Sequence, residues 1–186
     1  MLKTRIRKWC LLLLLLGCCM GVQAQYSMGN TGLLNIPTAD MQKAGTFMGG
    51  GNYLPNGMTP FNFNTGNYFV NITFLSFLEL SYRCTLLKTT RYDGKKGYFQ
   101  QDRSLSARIR PIEEGKYHPA IVIGTNDPFK DTGTNYFATI YGVLTKGFSI
   151  AKGDRLALTA GYYLPLNKHS IQDGPFGGIS LSLIHI

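Results

Sequence analysis

Apolar and polar side chains alternate strictly along residues 79–86. The apolar set is Leu80, Tyr82, Cys84 and Leu86, and the polar set is Glu79, Ser81, Arg83 and Thr85. A period of two is that of a β-strand whose two faces lie in different surroundings. This stretch therefore predicts a strand with one apolar and one polar face.

Similar alternation recurs along the chain, separated by stretches rich in glycine, proline, aspartate and asparagine. The predicted strands are Thr46–Leu54, Asn67–Phe74, Phe77–Leu87, Tyr98–Arg110, His118–Thr125, Asn135–Lys146, Arg155–Leu166 and Gly177–Leu183. Strands joined in sequence by turns favour an antiparallel meander. Residues 25–40 lie before the first strand, where Pro37 disfavours a helix. We predict one all-β domain over residues 25–180.

Two architectures fit this alternation: a transmembrane β-barrel and a soluble β-sandwich. The strands span about 9 to 12 residues, the length of a tilted membrane-spanning strand. Aromatic residues cluster near strand ends, as they do at membrane interfaces. We therefore predict an antiparallel up-and-down transmembrane β-barrel with its apolar face toward lipid. The polar residues expected to face its lumen are Glu79, Arg83, Arg108 and Arg110. The alternative is a secreted soluble β-sandwich that binds carbohydrate through exposed tyrosine and phenylalanine.

The first 24 residues have the pattern of a cleaved signal peptide. Residues 1–8 carry four cations and no acid, residues 9–20 are apolar, and Val22-Gln23-Ala24 offers a small-x-small cleavage site. A lipoprotein signal acylated at Cys18 and an uncleaved anchor are the alternatives. We expect export to the outer membrane.

The net charge and the candidate reactive residues exclude several classes of function. The net charge of +9 falls to +5 without the four cations of residues 1–8. Export argues against a nucleic-acid partner. After cleavage Cys84 is the one remaining cysteine, so no intramolecular disulfide forms. The histidines lack metal-ligand spacing, and Glu113-Glu114 reads as solvated loop charge in preference to a glycosidase pair. We assign no catalytic, cofactor-binding or metal-binding residue and expect no enzyme activity.

Four segments resemble the YjbH-type family of bacterial outer-membrane proteins. They are GLLNIPTADMQKAGTF (32–47), FLELSYR (77–83), DRSLSARIR (102–110) and HPAIVIGTNDPFKDTGTNYFATIYGVLTK (118–146). The resemblance implies a Gram-negative outer-membrane barrel that assists the production and export of exopolysaccharide or capsule. The partners it implies are outer-membrane lipid, polysaccharide and other capsule-export proteins. It implies no catalytic residue.

Residues 181–186 read LSLIHI, which one reading frame of a sequencing adapter encodes. We expect this tail to be non-native and leave it out of the fold prediction. The native barrel is then expected to contain more strands than this chain provides.

Overall fold

The computed structural model describes residues 26–55, 64–89, 98–129, 136–151 and 154–182. They form eight β-strands: β1 (Thr46–Leu54), β2 (Thr65–Leu75), β3 (Leu78–Thr89), β4 (Tyr98–Ile112), β5 (Ala120–Asn126), β6 (Thr139–Ala151), β7 (Asp154–Pro165) and β8 (Gly174–Ser182). The predicted signal peptide and the last four residues of the predicted tail lie outside the described residues.

Every strand pairs antiparallel with its neighbours in sequence, in the order β1 to β8. The result is a single sheet curled into a half-barrel, which confirms the all-β up-and-down prediction. The alternative of two stacked sheets is wrong for the described residues, because all eight strands belong to one sheet. Within the same residues β1 and β8 do not touch, so both are edge strands. No helix among them is long and apolar enough to cross a membrane.

The polarity of the two faces of the sheet is the reverse of that in a soluble protein, since the polar face is buried and the apolar face is exposed. On β2, Asn71 and Thr73 are fully buried, while Ile72 and Phe74 are 40% and 68% exposed. The alternation continues on β3, where Arg83 is buried and Tyr82 is exposed. We call the buried polar side the inner face and the exposed apolar side the outer face.

Residues Tyr26–Gln42 cover the inner face, and we call them the inner segment. Its middle reverses direction in a turn from Gly32 to Pro37, which is closed by an isolated antiparallel bridge between these two residues. Inside the turn the Leu33 amide donates to the Ile36 carbonyl at 2.9 Å. The segment is non-helical as predicted, but the sequence did not predict that it lies against the sheet.

The connections differ in length between the two ends of the sheet. At one end they comprise residues 76–77, 113–119 and 152–153, and at the other end residues 55–64, 90–97, 127–138 and 166–173. We call these the short-turn end and the long-connection end. β1 begins at the short-turn end, where Gly45 donates its amide to the Thr73 carbonyl.

Candidate functional site

The inner segment is bound mainly by polar side chains that point inward from the strands. Many of these bonds reach its backbone, so they do not depend on its side chains. Asn67 Nδ2 donates to the Ser27 carbonyl at 3.2 Å, and Asn71 Nδ2 donates to the Gly29 carbonyl at 2.8 Å. On the same face, at β6, the Ala39 amide donates to Thr145 Oγ1 at 2.7 Å. The inner face therefore recognises a particular path of the chain.

Glu79 is the acceptor at the centre of this contact. Its Oε1 accepts from the Thr31 amide at 2.8 Å and from Asn71 Nδ2 at 2.7 Å, and its Oε2 accepts from Thr31 Oγ1 at 3.0 Å. The side chain is fully buried. A buried carboxylate needs such donors because it has left water. Both of its oxygens are engaged within the chain.

Arg108 is the donor that complements Glu79. Its guanidinium donates to the carbonyls of Thr31, Thr38 and Asp40, each at 2.6 Å. Arg108 Nε also lies 3.7 Å from Glu79 Oε2. Because Glu79 and Arg108 are directly paired in the β3–β4 register, the sheet sets the two charges opposite each other. Together they hold both arms of the inner segment, before and after its turn.

Arg83 lies on the same face, toward the long-connection end. It is fully buried, donates to Thr85 Oγ1 at 2.7 Å and lies 3.5 Å from Asp102 Oδ2. Its guanidinium carbon stacks 4.2 Å from the ring centroid of Phe137. The connection between β5 and β6 therefore also covers part of the inner face.

Arg110 is set apart from the other three predicted residues. It lies near the end of β4 and donates to the Ser76 carbonyl at 2.9 Å and to Glu113 at 3.1 Å. The structure thus brings Glu79 and Arg108 into contact, places Arg83 further along the same face, and leaves Arg110 at the rim. Whether this face lines a lumen in a membrane stays a prediction. Glu79, Arg83 and Arg108 each bond to other groups of the chain.

An apolar patch on β5 to β7 also contacts the inner segment. Ala39 is fully buried and packs with Ala120, Val122, Tyr141, Val143 and Tyr163. At the other arm, the Tyr26 and Tyr163 hydroxyls lie 3.2 Å apart, and Gln172 also donates to Tyr26. The inner segment is therefore held by polar bonds near β3 and β4 and by apolar packing near β5 to β7.

A second ionic cluster lies at the short-turn end. Arg155 Nη2 contacts Glu114 Oε2 at 2.7 Å and Asp40 Oδ1 at 3.1 Å, and Lys146 Nζ lies 3.4 Å from Glu114 Oε1. Burial raises the pKa of Glu114, but the hydrogen bond from the Gly147 amide and the Arg155 guanidinium outweigh it and leave this pKa below its usual value. The prediction of solvated charge at Glu113-Glu114 is wrong for Glu114.

Sequence reasoning found the two charges but missed the segment that they hold. The shared polar face of Glu79 and Arg108 was accessible from the alternation, but their direct pairing is set by the β3–β4 register. Thr31 is 48 residues away from Glu79 in sequence, and no periodic pattern links the two. Among the described residues, no three His, Cys, Asp or Glu side chains are grouped to hold a metal.

The fold and this contact define a class: an up-and-down antiparallel sheet with an apolar outer face, whose polar inner face is filled by its own N-terminal segment. A family model described as exopolysaccharide biosynthesis protein YbjH matches residues 24–167. The chain therefore belongs to the YjbH exopolysaccharide biosynthesis family, and the matched region includes the inner segment together with β1 to β7. Comparison with the curated proteins and with the solved structures finds no match.

Proposed function

We propose that this protein is an outer-membrane β-barrel component that assists the production and export of exopolysaccharide or capsule and catalyses no reaction. The observation that carries the proposal is the outer face. Its exposed aliphatic residues include Val70, Ile72, Leu80, Leu105, Ile109, Ile123, Ile140, Leu144, Leu158 and Leu164. An apolar surface that extends over neighbouring strands is unfavourable in water and favourable in lipid.

Aromatic residues flank this aliphatic zone. Exposed tyrosines lie toward the long-connection end, at Tyr53, Tyr68 and Tyr162. Exposed phenylalanines lie toward the short-turn end, at Phe47, Phe74 and Phe148. Aromatic girdles at both interfaces are typical of transmembrane barrels. The position of these two groups at opposite ends of the aliphatic zone supports the membrane location.

The connections support an orientation. Transmembrane barrels have short periplasmic turns and longer extracellular loops. The short-turn end would then face the periplasm, and the inner segment, which begins near Asn67 and Gln172 at the long-connection end, would leave the inner face at the periplasmic end, where Asp40 meets Arg155. Outer-membrane lipid would surround the outer face, and polysaccharide and capsule-export proteins would be the partners.

The charges of the inner face favour a non-catalytic role. General acid–base catalysis requires a group within reach of a substrate proton. Both oxygens of Glu79 accept bonds from the chain itself, and Glu114 is ion-paired to Arg155 and Lys146. These carboxylates hold the fold together, which is the role that we assign to them.

Membrane fractionation tests the location. We expect the protein in the detergent-extracted outer membrane, with gel mobility that changes on heating because a folded barrel resists denaturation. A protein recovered from the periplasm without that mobility change would refute the barrel.

Polymer analysis tests the role. In a deletion strain we expect less polysaccharide outside the cell and more retained within it, with unchanged sugar composition. Altered polymer chemistry, together with hydrolysis or modification of the polymer by purified protein, would instead show an enzyme.

A further inference from the structure

We propose that the inner segment, Tyr26–Gln42, is a resident plug that keeps the inner face of this sheet closed to the exported polymer, with Glu79 and Arg108 as the residues that hold it. The inference rests on the proposed barrel and specifies it further. It states that the polymer does not move along this face while the plug is in place.

The plug extends across the width of the sheet. Asn52 of β1 donates to the Ser27 carbonyl at 3.5 Å. At the opposite edge, a Cβ built on Gly178 of β8 would lie 2.7 Å from the terminal carbons of Leu33 and Ile36. The same segment therefore contacts the first and the last strand, and it occupies the inner face from edge to edge.

The plug uses the groups that would otherwise bind a sugar. Polysaccharide hydroxyls would be recognised by amide and hydroxyl side chains such as those of Asn71, Ser81 and Thr145 on the inner face. Asn71 is bonded to Gly29, Ser81 donates to Asn30 at 2.6 Å, and Thr145 accepts from Ala39. A polymer on this path would have to replace these bonds.

Departure of the plug would also break its hydrogen bonds to two charged side chains. Arg108 would lose three carbonyl acceptors and Glu79 would lose both bonds from Thr31. Hydrogen bonds to charged groups are stronger than those between neutral groups, and all five would have to break together. This is why we assign the segment a resident position and not that of a lid that opens freely.

The reactivity of introduced cysteines tests whether the inner segment stays on the inner face. Ala39 is fully buried under the sheet, whereas Leu34, in the turn of the same segment, is 63% exposed. We would introduce A39C and L34C separately into the full chain carrying C84S, and label each with a hydrophilic maleimide after mild detergent extraction. We expect A39C to react about 100-fold more slowly than L34C, as for a site that opens only by local unfolding. Reaction of A39C within threefold of L34C would overturn the plug.

A second set of variants tests the holding residues. Adding R108M to A39C should raise its labelling rate by about 100-fold, because a buried partner of Glu79 is lost. R110M is the matched control, since Arg110 bonds to Ser76 and Glu113 at the short-turn end. It should leave the labelling rate of A39C unchanged. If R108M does not accumulate, R108K serves in its place and should give a smaller increase. An unchanged rate in a folded Arg108 variant would refute the holding role.

The outcomes separate the plug from the proposed function. Slow labelling of A39C in a protein that fractionates with the periplasm would refute the membrane role, and with it closure against an exported polymer, while showing that the inner segment stays on the sheet. Rapid labelling of A39C in a protein that fractionates with the outer membrane would refute the plug alone. In planar bilayers we further expect a lower conductance for the wild type than for R108M. Equal conductance would contradict closure by this segment.

Discussion

At the scale of single residues, the inner face depends on one acid and one base that face each other across two strands. The register places Glu79 opposite Arg108, and each then extends to the backbone of the inner segment. Two buried ions are tolerated because both oxygens of Glu79 and both terminal nitrogens of Arg108 are hydrogen-bonded to the chain. Removal of one charge should therefore cost more than the pair itself contributes.

We expect E79Q to lower the free energy of unfolding by about 3 kcal/mol, because it leaves the Arg108 guanidinium buried without a counter-charge. Urea unfolding of the detergent-solubilised protein, followed by gel mobility, measures the effect. E113Q is the matched control: Glu113 is 79% exposed, and its loss should change the stability by less than about 0.5 kcal/mol. Equal effects of the two variants would contradict the central position of Glu79.

Two glycines with positive φ provide a second residue-scale prediction. Gly29 (φ 91°) lies against Phe69, and a Cβ there would approach Phe69 Cβ to 2.7 Å, whereas Gly45 (φ 79°) has open space around it. G45A should cost about 1 kcal/mol of backbone strain. G29A should cost about 3 kcal/mol, because overpacking adds to the strain. Unfolding midpoints measured in parallel decide the matter, and equal losses would show that the Phe69 contact is not tight.

At the scale of elements, the β4–β5 connection is fastened to β6 and β7 by Glu114. The Gly147 amide donates to Glu114 Oε1 at 2.6 Å, and Arg155 contacts Oε2. The same Arg155 reaches Asp40 at the end of the inner segment. One acid and one base thus join a connection, two strands and the inner segment at the short-turn end.

The lowered pKa of Glu114 gives this fastening a pH dependence. Its stabilising effect is fully present above the ordinary carboxyl pKa of 4.5 and is lost as pH falls through the lower folded-state value. We expect proteolysis within residues 113–119 to accelerate below pH 4.5 in the wild type. E114Q should be cleaved faster at neutral pH and should show a flatter pH profile. A wild-type profile that E114Q does not change would remove Glu114 from this role.

The edge strands make a further prediction at this scale. Among the described residues, β1 pairs only with β2 and β8 only with β7. An unpaired amide in hydrocarbon costs several kcal/mol, so membrane-spanning sheets are closed. In the membrane-embedded protein we expect all amides of β1 to resist hydrogen exchange, including those that do not bond to β2. Fast exchange at alternate positions of β1 would show an open edge and argue against a lipid-facing sheet.

At the scale of the whole molecule, the exposed apolar outer face decides between water and lipid as the surroundings. Leu80 lies within β3 on this face, with Ile72 opposite it on β2 and Ala107 opposite it on β4. A cation at such a position is destabilising at the membrane midplane and harmless on a soluble protein.

We therefore expect L80K to reduce the folded, heat-modifiable fraction in the outer membrane, with a cost of about 2 to 4 kcal/mol. L34K is the matched control, because Leu34 is exposed in the turn of the inner segment and not on the outer face. It should insert normally. Normal insertion of L80K would mean that lipid does not surround this part of the sheet.

Much of the fold was accessible from the sequence, because the alternation of side chains is local. The predicted first strand, Thr46–Leu54, agrees with β1 at both ends. The prediction failed at the start of β6: the predicted strand begins at Asn135, but β6 begins at Thr139. Phe137 and Ala138 are buried, and Phe137 stacks on Arg83, so a tertiary contact takes these residues out of the ladder.

What the sequence determined by itself is the division of each strand into an apolar and a polar face, since a period of two assigns every side chain to one side of a sheet. It also placed Glu79 and Arg108 on the same polar face, whereas their direct pairing depends on the strand register, which the structure provides. Only the tertiary structure decided what those charges hold. The contact of Thr31 with Glu79 and of Thr38 with Arg108 joins parts of the chain without any shared periodicity, and it forms because buried ions must find partners wherever the curled sheet brings backbone within reach.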